Sequence, residues 1–357
     1  MIILTERIKK MTKKAVTMSD IAKAMSVSTV TVSKALGDRD GVSEELRERI
    51  KRKATEMGYR VHAGSHGAKD GLNYNIGIIV AKHFISDASS FYWIVYRYIV
   101  ELLQKQNYYG MLEVIDDAVF DGAITPEVLP NSVLDGKVDG IIVLGQISEE
   151  YIDCLMQHDL PIVFLDFYGS RDDVDSVLSD SFYGSYMLTS HLIENGHRKI
   201  GFLGSIGSTS SIQDRYLGYY KALLENRIPL RQDWVIGDRA NESDIYPEFT
   251  LPNDMPTAFV CNCDETAYKL VNQLKNAGYS VPEDISVVGY DNHIYSTICT
   301  PRLTTIDVNS HVMSSEAVEI ILHKIRDVNY RRGRTLVTGK LVRRDSVKNI
   351  STSETHE

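Results

Sequence analysis

Between Ser28 and Lys34 the chain gathers small hydroxyls and one ammonium at the exposed start of a short helix, a set able to hydrogen-bond to base edges and phosphates of DNA. That helix is the second of a pair spelled by residues 17–36, TMSDIAKAMSVSTVTVSKAL. In the first, Ser19 stands at the N-cap, and Ile21, Ala22 and Met25 form the apolar face. Ser26 and Val27 make the turn. Ser28 caps the second helix, whose Val32 and Leu36 turn inward while Thr29, Val30, Ser33 and Lys34 turn outward. Thr17 and Thr31 complete the polar set expected at DNA. Two short helices at this spacing fit a major groove. A third helix, capped by Ser43 and ended by Gly58, carries Leu46, Ile50 and Ala54 to close a small core. The competing reading is an ordinary three-helix packing unit with a solvated face, and the rest of the chain weighs against it.

A second kind of chemistry lies far down the chain. Arg215 opens the helical run DRYLGYYKALL and offers a planar fork of donors for two adjacent hydroxyls or a carboxylate. Asp291, just past the apolar run ISVVGY, supplies acceptors for hydroxyl hydrogens. Together they make a polar grip on a sugar; the bland alternative is a salt bridge with no ligand. Phe91, Tyr92, Phe167 and Tyr168 fall in loops after strands, where an aromatic face can stack on a sugar, although such residues are more often core.

Other chemistries find little support. No H-E-x-x-H, G-x-S-x-G or paired-carboxylate motif occurs, so nothing points to an enzyme, and no cofactor or metal is expected. The run Gly204–Ser208 lacks the third glycine of a dinucleotide fingerprint and reads as a flexible loop at a cleft rim. Cys261 and Cys263 are not at finger spacing from Cys154 or Cys299, and four unpaired thiols suit a reducing cytoplasm. Only four apolar residues precede Thr5, too few for a secretory signal core, and no membrane role is expected.

The elements that must position these groups follow from length and pattern. Residues 1–60 carry 14 Lys/Arg against 8 Asp/Glu, a balance of +6, and the remainder carries −15, for a net charge of −9. A basic head on an acidic body implies that only the head meets phosphate. From residue 75 onward, apolar runs alternate with helical periods. Strands are expected at 76–80, 111–115, 140–144, 162–166, 200–203, 258–261, 286–289 and 304–307. Helices are expected near 91–106, 148–157, 182–195, 214–226, 265–277 and 309–328. Such alternation predicts doubly wound parallel sheets buried on both faces, split between two lobes, with ligand at the carboxyl ends of the strands.

The run from Val16 to Tyr59 resembles the headpiece of the lactose-repressor/galactose-repressor (LacI/GalR) family of bacterial transcription regulators, with SVSTVTVSKAL close to G-V-S-x-x-T-V-S-R-x-L. The resemblance extends to Val347 through DGIIV, ENGHRKIGFL, DRYLGYYKAL, DISVVGYDN and PRLTTI, in the family's order. It implies a small all-α helix-turn-helix headpiece followed by a periplasmic-binding-protein-like α/β body. The boundaries expected are a mobile basic tail at 1–14, a headpiece at 15–60, a hinge at 61–73, an effector-binding and dimerisation domain at 74–348, and a polar tail at 349–357. Within the body, one lobe spans 74–178 plus 307–330 and the other 179–306, with three crossings. The function implied is that of a cytoplasmic, homodimeric, sequence-specific DNA-binding regulator, a repressor of carbohydrate-utilisation genes controlled by a sugar or sugar derivative between the lobes. The alternatives are a regulator that answers to a protein co-repressor, and a sugar-binding protein or enzyme with no DNA role. Arg215, Asp291 and Asp166 match family positions that face the effector.

Three departures stand out. Where the family has A-N-D after a strand, this chain has Asn262-Cys263-Asp264, so Cys263 takes the position of an effector-contacting Asn. A thiol is a weak partner, so either Asn262 compensates or the effector differs; Asp264 is expected to cap the next helix. Residues 241–256 carry Pro247 and Pro252 where relatives have a regular helix. In the hinge, Val61 and Ala68 replace the usual Pro and the leucine that wedges into the minor groove. Gly64 and Gly67 each cost a hinge helix roughly 1 kcal/mol relative to alanine, which leaves three readings: a flexible tether, DNA contacts from His62 and His66 instead, or a regulator that bends DNA little and acts partly as an activator or roadblock.

Overall fold

The computed structural model describes residues 18–36, 41–57, 71–85, 91–119, 124–239 and 248–351, without the side chains of Ser19 and Pro126. The chain divides into a small N-terminal helical unit and an α/β body. Thr17, Gly58, His62 and the hinge substitutions at 61, 64, 66, 67 and 68 lie outside the described residues, as do the tail at 1–14 and both Pro247 and residues 240–246.

The helical unit contains α1 (Met18–Met25), α2 (Thr29–Leu36) and α3 (Glu44–Glu56). Helix α1 begins before Ser19, so Ser19 sits inside the first turn and not at the N-cap. Ile21, Val32, Ala35 and Ile50 are fully buried, while Leu36 is only partly so. The inward pair on α2 is therefore Val32 and Ala35, and Leu36 lines the rim. The turn after α1 closes through Val27 N–H to the Ala22 carbonyl at 3.0 Å, with Ser26 left-handed at φ 55°. Ser28 Oγ accepts from the Thr31 N–H at 3.0 Å, as a cap should. Ser43 occupies the N-cap of α3 but makes no side-chain bond there. Glu44 and Glu45 in the first turn and Lys53 in the last suit the helix dipole.

The body runs β1 (Asn75–Ala81), α4 (Phe91–Lys105), β2 (Tyr109–Ile115), α5 (Asn131–Leu134), β3 (Gly140–Leu144), α6 (Glu149–Leu155), β4 (Ile162–Leu165) and β5 (Asp175–Ser179). There follow α7 (Ser181–Glu194), β6 (Ile200–Leu203), α8 (Ser210–Glu225), β7 (Val235–Ile236), β8 (Ala258–Cys261), α9 (Asp264–Asn276), β9 (Ser286–Val288) and α10 (Ile294–Ile298). The chain ends through β10 (Thr305–Asp307), α11 (Ser310–Arg326), β11 (Arg334–Val337) and β12 (Lys340–Val342).

Six strands form the first lobe's sheet, in the order β11-β5-β4-β3-β1-β2, all parallel. Four form the second lobe's parallel sheet, β7-β6-β8-β9. Runs such as IIVA and GIIVL are apolar on both faces because helices cover both, and their residues are buried throughout. The chain crosses between lobes at Asp180, after β10, and again between β11 and the β10–β12 ladder. Because β11 pairs with β5, the first lobe reaches Val337 and not 330. The expected polar tail also starts late: Ile350 N–H bonds the Asn195 carbonyl at the end of α7. Helix α8 begins at Ser210, four residues ahead of expectation, because Thr209 accepts from the Ile212 N–H and caps it.

Candidate functional site

Parallel strands deliver their carboxyl ends to one edge, and in each lobe that edge carries the polar residues. In the first lobe they are Gln146 after β3 and Asp166 after β4; in the second, Ser205 after β6, Asp238 after β7, Asn262 after β8 and Asp291 after β9. Asp166 and Asp291 adopt φ of 70° and 104°, a conformation that side chains rarely take and that concentrates where a site requires it.

Arg215, on the second turn of α8, is the centre of the arrangement. Its guanidinium lies over the Tyr290 ring, 4.0 Å from the centroid. Nη1 donates to the Asn262 carbonyl at 2.6 Å and Nη2 to Asp291 Oδ1 at 3.4 Å, while buried Nε has no partner. From the first lobe, Asp166 accepts from the Tyr92 hydroxyl at 2.9 Å. Burial pushes the Asp291 carboxyl up to about 7, against the pull of Arg215, and Asp166 adds repulsion. Burial raises Asp166 as well. One guanidinium thus stands among two dehydrated carboxyls from opposite lobes. Its single 3.4 Å contact to Asp291 does not offset that carboxyl's lost hydration.

A residue that sequence reasoning missed organises the second lobe's edge. Asp238 is fully buried and accepts from Ser205 N–H at 2.8 Å, from Thr266 Oγ1 at 2.9 Å and from the Asn262 amide. Arg239 adds two contacts of 3.3 Å through Nε and Nη2. Burial works against its charge, yet Arg239 and these donors hold Asp238 below the usual carboxylate range. The signal was present: V-I-G-D at 235–238 echoes V-V-G-Y-D at 287–291, but its strand is two residues long. Ser205 Oγ accepts from the N–H groups of Asp238 and Arg239 at 3.0 and 3.1 Å. The segment expected to be a flexible rim is thereby tied down at Ser205.

Asn262 is buried and donates its side-chain amide to Asp238. Cys263, not Asp264, is the N-cap of α9, its sulfur accepting from the Thr266 N–H at 3.5 Å. Burial pushes the thiol up to about 12, so it is uncharged. Asp264 is buried one residue on, accepting from His293 N–H at 2.8 Å and Thr305 Oγ1 at 2.7 Å.

The aromatic expectations divide. Phe167 is 1% exposed and stacks on Phe164 with centroids 4.5 Å apart, so it belongs to the core. Phe91 starts α4 half-buried and packs edge-on against Tyr92; it is Tyr92 that reaches Asp166. Tyr168 donates its hydroxyl to Asp214 of α8 at 3.0 Å and its N–H to Ser210 Oγ at 3.4 Å, and Gln146 accepts from the Ser210 N–H at 2.8 Å, so three hydrogen bonds join the lobes at the start of α8. Among the described residues of 241–256, from Glu248 onward, no helix forms; Phe249 pairs through both backbone groups with the Gln273 side chain at 2.8 and 2.6 Å.

In the helical unit, Ser28, Thr29 and Val30 are exposed, Val30 at 64%. Thr31, Ser33 and Lys34 are half-buried, and Thr31 Oγ1 lies 2.8 Å from Ser28 Oγ. The Lys34 ammonium folds back beside Gly41. Among the described residues no group of three or more His, Cys, Asp or Glu is arranged to hold a metal, and no helix is long and apolar enough to cross a membrane.

Comparison with known proteins gives concordant results for both parts. Residues 17–61 match the pattern of bacterial regulatory proteins of the lacI family, and residues 189–347 that of a periplasmic binding protein-like domain. The chain is similar to the HTH-type transcriptional repressor PurR of Actinobacillus pleuropneumoniae serotype 3 (30% identity over 349 residues) and of Photobacterium profundum (29% over 340). In both cases 94% of this chain and 99% of the relative are covered. The fold is similar to that of the transcriptional regulator CelR in complex with cellobiose (TM-score 0.66, 20% identity, 93% of this chain and 99% of that one). It is also similar to a LacI family regulator from Enterococcus faecium with bound ribose (0.63, 24%, 78% and 100%) and to the lac repressor dimer bound to operator and the anti-inducer ONPF (0.63, 22%, 94% and 100%).

Proposed function

The chain belongs to the LacI family of bacterial regulatory proteins, DNA-binding transcriptional repressors under small-molecule control, and we propose that its effector is a sugar or sugar derivative held between Arg215 and Asp291. The observation that carries the reading is the convergence, at one strand edge, of a guanidinium with an unpartnered donor and carboxyls from both lobes. Donors and acceptors in that mixture suit a polyhydroxylated molecule, whose hydroxyls serve as both. Neighbours of the same fold are described with cellobiose and with ribose, which supports the class without choosing the compound.

Binding shifts operator affinity only by as much as the ligand discriminates between the arrangements of the two lobes. The bonds from Tyr168 to Asp214 and from Ser210 to Gln146 form only when the lobes meet at α8, so they are the contacts a ligand would strengthen. At the operator, Thr29, Val30 and Lys34 read bases, Val30 offering an apolar contact to a thymine methyl, while Ser28, Thr31 and Ser33 serve the backbone. The protein acts in the cytoplasm as a homodimer. Exposed apolar side chains at Tyr109, Val114, Ile294 and Ile298 supply surface for that dimer, and the lac repressor neighbour is a dimer on its operator.

The test is a gel-shift titration on selected genomic fragments with and without sugars, comparing the natural protein with Arg215→Ala. The variant is expected to bind operator normally and lose the response. Loss of the folded second lobe would reduce Arg215 to a structural salt bridge, and a full response would move control to a protein partner.

A further inference from the structure

Helix α8 is apolar on two opposite faces. Ile212, Tyr219, Ala222 and Leu223 turn into the core. Leu217, Tyr220 and Leu224, spaced by three and then four residues, turn away from it. A helix that is apolar all round calls for cover on both sides. Helix α7 lies alongside and widens the outer face with Phe182 and Tyr183, and all five side chains are 38–62% exposed.

The patch is continuous and rigid. Tyr183 stacks on Tyr186 with centroids 6.0 Å apart, and Tyr220 on Tyr216 at 6.5 Å. Lys221 lies 5.2 Å over the Tyr186 ring, and the Tyr186 hydroxyl donates to Glu225 at 2.8 Å, which ties the two helices together across the face. A Cβ at Gly218 would run into the Phe182 carbonyl, so the helix backbones touch there without side chains between them. A surface held this way needs little ordering when it is covered.

Its size and charge indicate what covers it. With about 200–250 Å² for a large side chain, the five exposed fractions leave roughly 400–500 Å² per copy. Two copies face to face bury twice that, and because apolar area makes up about 60% of an interface, the whole contact comes to about 1,500 Å², the size of a stable complex. Lys221 and Glu225 pair with each other inside the patch, so it offers no net charge to a basic or acidic partner.

The sheet separates this face from the surface assigned to the dimer. Along β8, Ala258 and Val260 join the core shared with α7 and α8, whereas Phe259 and Cys261 join the core shared with α9. Helix α10, with Ile294 and Ile298, lies on the α9 side, where Tyr268 and Tyr295 meet at 5.4 Å.

We infer that the α7–α8 face docks a second copy of this chain, the same face against itself around a two-fold axis beside Tyr220. That axis lies midway between Leu217 and Leu224, two helical turns apart, so each Leu217 meets Leu224 of the partner subunit. Because the α9–α10 side is the opposite one, the contact adds copies to a dimer: dimers join flank to flank into assemblies of four chains or more.

Sedimentation velocity of the full chain, read as mass against concentration, tests this. Contacts of this size bind in the micromolar range or tighter, so species of four chains or more are expected at roughly 20 µM protein. Leu217→Lys or Leu224→Glu alone should weaken that step roughly 30-fold or more and leave dimers. Both side chains are solvent-facing, and unchanged melting curves would confirm that the fold is intact. The two substitutions in one chain should restore part of the association, since opposite charges then meet across the axis. Loss without that recovery overturns the two-fold pairing. A natural protein that stays at two chains throughout, or single variants that assemble as it does, overturns the inference. A Leu224→Glu protein found as single chains would keep the second copy on this face and overturn instead the placing of the dimer at Ile294 and Ile298.

Discussion

Tyr168 in the first lobe donates its hydroxyl hydrogen to Asp214 in the second, one residue before Arg215, while Arg334 lies 3.9 Å over the tyrosine ring. The first-lobe edge strand, the first-lobe loop and the helix that carries the effector arginine are thereby linked through one phenol.

Removing that hydroxyl should loosen the start of α8 without unfolding either lobe. A hydrogen bond to a charged group contributes about 1.5–3 kcal/mol, so Tyr168→Phe should speed amide exchange at Ile212–Arg215 by roughly tenfold or more. Unchanged exchange there would mean that the bonds of Ser210 to Gln146 and to the backbone N–H of residue 168 hold the lobes without the phenol.

The Asp291 carboxyl makes stability depend on pH. Its folded value, about 7, lies above the ordinary carboxylate value of 3.8, so the folded state binds the proton more tightly. Stability is then greatest below the unfolded value and falls as pH rises toward 7. Asp291→Asn should flatten that slope, by a few kcal/mol at most across the window. Parallel melting curves of the two proteins from pH 5 to 8 would refute the assignment.

The turn of the helical unit places Ser26 in a left-handed conformation that glycine adopts freely. Ser26→Gly should stabilise the unit by about 1 kcal/mol and slow exchange of the Val32 amide roughly fivefold. A destabilised unit would show that the serine hydroxyl contributes more than the backbone strain takes away.

Lys34 stands where the pattern G-V-S-x-x-T-V-S-R-x-L has arginine, and its single ammonium can meet guanine without the bidentate fork. Lys34→Ala should cost about 1–3 kcal/mol on the preferred operator and much less on random DNA in a gel-shift competition. Equal losses on both would confine Lys34 to a phosphate contact.

The helix pair and the strand–helix alternation were legible because both rest on apolar periods: Ile21, Val32 and Ile50 close the small core, and runs such as GIIVL at 140–144 have no other home than a covered sheet. Strands β5, β7, β11 and β12 were not. DSVLS puts three polar residues among five buried ones and shows no period of two, and Asp175 is accommodated only because Lys324 at 2.6 Å and the N–H groups of Arg332 and Gly333 meet it. Arg215 and Asp291 could be named from side-chain chemistry. Asp238 and Arg239 could not, since a two-residue strand leaves no period. In Asn262-Cys263-Asp264 each residue could cap a helix, and only the backbone decides that Cys263 does.

The pairing of β11 with β5 also sets a timetable. During synthesis the second lobe has all four strands of its sheet once residue 288 has emerged, whereas the first lobe, begun earlier, waits for residues 334–337 to cover its edge. Until then β5 presents an unpaired row of backbone groups of the kind that recruits other strands. A ribosome stalled between residues 310 and 330 would hold a second lobe with all four strands paired, lacking only the cover that residues 344–350 lay on β9, beside an open first one. Nascent chains of that length should be the ones that depend on a chaperone, and a nonsense mutation there should yield an insoluble product.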